Sequence, residues 1–179
     1  MTVRGPFARV PAGSARSASS CLPPAGRVPS RSGGYPAAGV VTVETVPAPE
    51  PYLLFPGTAR DALTFYRRVF GGDLTLHSYV EFGREDGPPD AIAHGILTGP
   101  VSLFAADASA DDEPFTSTGL MFSLLGITSA GELRTWFDAL ARVGTVRESL
   151  QERPWGAWDG QVVDSFGVCW LVGFEDAVD

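Results

Sequence analysis

Two helix-forming segments of this chain are built on one template, 71 residues apart, and that repetition restricts the fold more than any other feature. "TARDALTFYRRVF" places apolar side chains at Ala62, Phe65, Tyr66, Val69 and Phe70, the i, i+3, i+4, i+7, i+8 spacing of a single helical face. "SAGELRTWFDALA" repeats it with Leu133, Trp136, Phe137, Leu140 and Ala141. Each helix opens on a capping-box pattern, a hydroxyl followed three residues later by a carboxylate: Thr58 with Asp61, Ser129 with Glu132. Glycine follows each, at Gly71–Gly72 and at Gly144, where a helix stop belongs. A short apolar run precedes each, "PYLLF" and "GLMFSLL".

Further strand-like runs lie between turn residues. In the first unit they are residues 74–82, 91–97 and 101–106; in the second, residues 145–151, 158–163 and 168–174. Each unit therefore reads as one strand, one helix and three strands. The expected fold is α+β: two βαβββ modules forming a curved, half-open mixed sheet, with helices outside. Such a sheet has a concave face on which a small ligand can sit.

The modules fall at about 51–107 and 118–174, within a domain expected over 49–176. Residues 1–40 are of another kind, with five arginines and no acid. Eight of the 15 prolines fall in the first 50 residues, and such a segment buries too little apolar surface to offset its ordering entropy. Residues 1–48 are expected to be a disordered N-terminal extension, or the product of a start assigned too early.

Composition removes several function classes. All 13 basic residues are arginine, so a Schiff-base lysine and a phosphate-loop lysine are excluded. The net charge of −8 disfavours a nucleic-acid partner, which needs a basic face. No apolar run approaches the ~20 residues of a membrane-spanning helix. Cys21 and Cys169 form no CxxC motif, which fits a reducing, cytoplasmic location.

Three stretches, "PYLLFPGTARDALTFYRRVFGG", "IAHGILTGPVSLFAADA" and "RPWGAWDGQVVDSFGVCWLVGF", resemble the PhnB-like branch of the vicinal oxygen chelate superfamily, which includes glyoxalases, bleomycin-resistance proteins and dioxygenases. The resemblance covers residues 51–174. It implies paired βαβββ modules and a homodimer. A methyltransferase label attaches to some members of that branch, but this chain has no glycine-rich loop after a strand to hold a methyl donor. Ser165 stands where the branch has a turn proline, a substitution the turn accommodates.

Enzymes of the superfamily hold a divalent metal from the first and fourth strands of each module. By the resemblance those positions fall near Pro51, Phe104, Phe122 and Leu171, none of which ligates metal. Only Glu50, Asp107, Glu175 and the soft ligand Cys169 are near. No metal and no cofactor are therefore expected.

His94 alternates with Ile92 and Ile96 along its strand. The resemblance favours it as a ligand contact or proton donor; the residues alone fit equally a hydrogen-bonded histidine within the sheet. His77 reads as a solvated side chain, and Trp170 and Cys169 as core. Trp155 lies in a proline–glycine loop, where packing explains an aromatic poorly, so it is a candidate ligand contact together with Tyr79. Asp107, Asp111, Asp112 and Glu113 read as a solvated acidic linker, and Asp164 as a turn residue.

The first functional expectation is a metal-independent small-molecule binding protein, whose acidic charge suits a cationic ligand. The alternative is a lyase- or isomerase-type enzyme with catalytic His94 as general acid–base, helped by Tyr79, Glu81 or Asp107. A third is a dimeric interaction module with no ligand.

Overall fold

Period-two alternation and the two amphipathic helices resolve into ten elements in the computed structural model, which describes residues 49–175. The reading of residues 1–48 lies outside the described residues. In chain order the elements are β1 (Tyr52–Phe55), α1 (Ala59–Phe70), β2 (Asp73–Ser78), β3 (Ile92–Thr98), β4 (Leu103–Asp107), β5 (Phe122–Leu125), α2 (Ala130–Val143), β6 (Thr145–Glu152), β7 (Ala157–Val163) and β8 (Cys169–Glu175). Two four-stranded sheets result, ordered β1-β4-β3-β2 and β5-β8-β7-β6. In each, the outer pair β1–β4 or β5–β8 is parallel and the remaining pairs are antiparallel. The doubled βαβββ order is as the repeat predicts, in two mixed sheets with no closed barrel.

Each helix lays its apolar stripe on one face of its own sheet. From α1, Ala62, Leu63, Tyr66 and Phe70 are buried; from α2, Leu133, Trp136, Phe137 and Leu140. One apolar cluster joins both modules, and Phe70 meets Trp136 and Trp170 with ring centroids 5.2 and 5.0 Å apart. Trp170 and Cys169 are buried, as expected.

Three local expectations change. The Ser129–Glu132 capping box forms, with Ser129 Oγ accepting from Glu132 N and donating to its carboxylate at 3.1 Å. Thr58 makes no such bond. Asp107 replaces it: the strand register sets Asp107 beside Phe55, and its buried carboxylate accepts from Ala59 N and Ile92 N, each at 2.8 Å. Asp107 is thus no solvated linker residue but the cap of α1, supplied from 48 residues away. β2 stops at Ser78 rather than continuing to 82, because Glu81 folds back to accept from Ser78 N and Oγ and the chain turns there.

Asp164 also exceeds its expected role as a turn residue. Its buried carboxylate accepts from Phe166 N and Val168 N, and from Tyr66 Oη and Trp170 Nε1, so a turn of the second module holds a helix of the first.

Candidate functional site

With a helix on one face of each sheet, the other face is bare. Gly95 lies directly under Leu63 of α1, where a Cβ would collide with the leucine methyl. Its neighbours His94 and Ile96 therefore point away from the helix. The registers place Tyr52, Leu54, Thr75, His77, Phe104 and Ala106 on that same bare face. In the second sheet Gly160 lies under Phe137, a built Cβ reaching its ring at 2.9 Å, so Asp159 and Gln161 face outward, together with Ser123, Leu125, Leu171 and Gly173.

On the first bare face, Tyr52 reaches across β4 to His94. Tyr52 Oη and His94 Nδ1 are 3.0 Å apart. The His94 ring lies 5.6 Å from the Tyr52 ring and 5.5 Å from that of Phe104, tilted 23° and 29°. Burial raises the Tyr52 phenol above its usual pKa, against the opposing charge of Arg84, so the hydroxyl stays protonated at neutral pH. His77 is the cross-strand partner of His94 and stacks on Phe82 at 5.3 Å; it is half-buried rather than freely solvated.

The anticipated helpers of His94 are engaged elsewhere. Tyr79 is buried under Arg84 and donates to the Asp107 carbonyl at 3.0 Å. Glu81 is bound to Ser78, and the Asp107 carboxylate caps α1. Neither His94 nor Tyr79, both of the first module, is among the residues lining the groove at Trp155 in the second. Tyr52 was not singled out from the sequence. Alternation in "PYLLF", with Leu53 and Phe55 toward the helix, is the signal that could have placed it on the open side.

The donor set does not fit a superfamily-type metal. On the bare faces the first- and fourth-strand positions in register are Tyr52 with Phe104, and Ser123 with Leu171. Pro51 precedes β1, and Phe122 lies against Trp170 on the helix-covered side, 5.4 Å between centroids, so neither occupies the position inferred from sequence. Among the described residues no group of three or more His, Cys, Asp or Glu side chains is placed to hold an ion.

In the second module, Arg153 N donates to Ala157 O, and Gly156, at φ 91°, donates to Arg153 O. This tight hairpin presents Trp155 at its tip, 73% exposed. Below it runs a groove of about 720 Å³ between the start of α2 and the ends of β5 and β8. Trp155, Trp158, Phe174 and Leu125 supply its apolar wall, Asp159 and Glu175 its carboxylates. Trp158 and Phe174 lie nearly parallel, 6.1 Å apart, and the Arg134 guanidinium sits over both rings at 4.2 and 4.5 Å. Arg153 binds Asp159 and, at 2.8 Å, Glu148, which fixes the base of the hairpin.

The sequence matches the family model for the Glyoxalase/Bleomycin resistance protein/Dioxygenase superfamily over residues 49–172. It is 29% identical over 138 residues to Protein YjdN of Escherichia coli (strain K12), covering 68% of this chain and 91% of that one. Among solved structures it is similar to protein PA1353 from Pseudomonas aeruginosa, at 33% identity and a TM-score of 0.61, covering 73% of this chain and 98% of that one. The PhnB protein from Bacillus cereus shares the fold, with a TM-score of 0.58 at 22% identity over 70% of this chain and 97% of that one.

Proposed function

The chain belongs to the glyoxalase/bleomycin resistance protein/dioxygenase superfamily, and we propose that it is a metal-independent small-molecule binding protein whose ligand is an amphipathic aromatic cation. The groove beneath Trp155 carries this reading. It brings the exposed Trp155 ring and the Glu175 carboxylate into one concavity large enough for a small molecule, a combination suited to a planar cation, while Asp159 is engaged by Arg153. Arg134, lying over Trp158 and Phe174, is a cation already held on that wall by the chain itself. Exposed Leu120, Met121, Leu125 and Ile127, on and beside the edge strand β5, support a homodimer. The free thiol of Cys169 is in keeping with a cytoplasmic protein.

Titration of the purified protein with N-methylacridinium, followed by tryptophan fluorescence, tests the reading. Saturable quenching is expected. No saturable change with this probe or with a panel of related aromatic cations would refute it.

A lyase- or isomerase-type activity of His94 is the second reading, favoured by the 3.0 Å contact between Tyr52 Oη and His94 Nδ1. An activity screen with His94→Ala as control decides it, and turnover that survives the substitution removes His94 from any mechanism. A module with no ligand would leave the groove beneath Trp155 without a role.

A further inference from the structure

We propose that Tyr52 holds His94 in the tautomer that carries its proton on Nε2, and that this N–H donates to the carbonyl oxygen of a neutral planar ligand lying on the bare face of the first sheet. The site is separate from the groove beneath Trp155, and its ligand half rests on the reading of the protein as a small-molecule binder.

One hydrogen on the phenol decides the tautomer. Tyr52 Oη has two acceptors in reach, His94 Nδ1 at 3.0 Å and Ala93 O at 3.5 Å. The second distance is beyond an ordinary O–H···O bond, so the hydrogen goes to the imidazole. Phenol, with a pKa of about 10, is also a far stronger acid than a neutral imidazole N–H, which makes it the donor of this pair. Nδ1 is then the acceptor and Nε2 carries the remaining proton. Among the described residues Nε2 has no hydrogen-bond partner.

The surroundings specify what that N–H meets. Tyr52 and Phe104 flank the imidazole, and with Ile96 they offer apolar contact to a flat ligand. Tyr52 remains 48% exposed, so the face is open to solvent. A ketone or amide oxygen takes this hydrogen bond without bringing a charge onto the apolar wall of Tyr52, Phe104 and Ile96. His77 is the other titratable group in register on this face, and its stacking on Phe82 gives it a separate environment.

The test is a two-bond ¹H–¹⁵N correlation on histidine-labelled protein at a pH near 8.5, where imidazole is neutral, with acetophenone as the ligand probe. In the unliganded wild type His94 Nδ1 is expected at the shift of an unprotonated ring nitrogen and Nε2 at that of a protonated one. Tyr52→Phe, which keeps the ring and its packing, should convert this to a tautomer mixture. Protonated Nδ1 in the wild type, or an unchanged spectrum in Tyr52→Phe, overturns the tautomer assignment. Acetophenone should shift the His94 signals saturably, leave His77 in place, and bind roughly fivefold more weakly to Tyr52→Phe, the loss expected when one hydrogen bond is no longer set in advance. No saturable shift at His94 overturns the donor role. The N-methylacridinium titration reports on the other module, so failure of one reading is distinguishable from failure of the other.

Discussion

Tyr66, on the first helix, donates its phenol hydrogen to the carboxylate of Asp164, 2.7 Å away and 98 residues further along the chain. Trp170 Nε1 donates to the same oxygen at 2.8 Å, and both aromatic rings are fully buried. Two modules that could each have formed a separate sheet-and-helix layer are thereby fixed to one another by a charge-assisted bond inside the shared core. Asp164→Ala should cost at least about 3 kcal/mol, since it leaves several buried donors unsatisfied. Tyr66→Phe should cost about 1.5–3 kcal/mol. Equilibrium urea unfolding measures both.

Alkaline pH tests the same pair. Burial, followed by the Asp164 charge and hydrogen bond, raises the Tyr66 pKa well above its usual value. The folded state therefore favours the neutral phenol, and that contribution is fully present below the unfolded pKa of about 10 and lost as pH climbs through the range above it. Wild-type stability should fall above pH ~10 more steeply than that of Tyr66→Phe, with a slope difference of about 1.4 kcal/mol per pH unit. Equal slopes in pH-dependent unfolding would contradict the assignment.

The two helix starts should respond unequally to the same substitution. Ser129→Ala removes a side-chain cap and should cost about 1 kcal/mol. Thr58→Ala removes no cap, because Asp107 supplies it, and should stay within about 0.5 kcal/mol of wild type. Thermal unfolding of both variants checks this.

Gly144 ends α2 without a left-handed backbone, at φ −109°, so its need for glycine is spatial. A Cβ there would run into the carbonyl oxygen of Val163 and lie 2.9 Å from that of Leu140. Gly144→Ala should lose about 1–3 kcal/mol through a forced backbone shift. Gly71, at φ 77° with open space around it, should respond to substitution through backbone strain instead.

What the sequence made legible was what periodicity encodes. The two helical faces, the strand before each and the succession of strand, helix and three strands in each module follow from 3.6- and 2-residue spacing. Residues whose meaning comes from pairing at a distance were hidden. Asp107 sits among acids in sequence and reads as solvated; only the parallel β1–β4 register shows that it lies under the first turn of α1. Tyr52 reaches a histidine 42 residues away over an intervening strand, which no local pattern announces. Trp155 was visible because its proline–glycine setting is local, and the hairpin that presents it is short. The Arg147 guanidinium, 4.0 Å from Cys169 Sγ, is likewise a neighbour that strand pairing creates and sequence adjacency does not.

The proposed ligand site beneath Trp155 is put to the test by the N-methylacridinium titration run side by side on wild type, Trp155→Ala and Glu175→Gln. Trp155 stands at a hairpin tip and is 73% exposed, so its removal leaves the core intact. Wild type should bind saturably. Trp155→Ala should bind roughly tenfold more weakly, the equivalent of a desolvated cation–π contact of about 1.4 kcal/mol. Glu175→Gln should weaken binding by a smaller factor that shrinks further as salt is added. Wild-type binding with an unchanged affinity in Trp155→Ala, or no saturable binding at all, would mean that the groove does not hold the ligand.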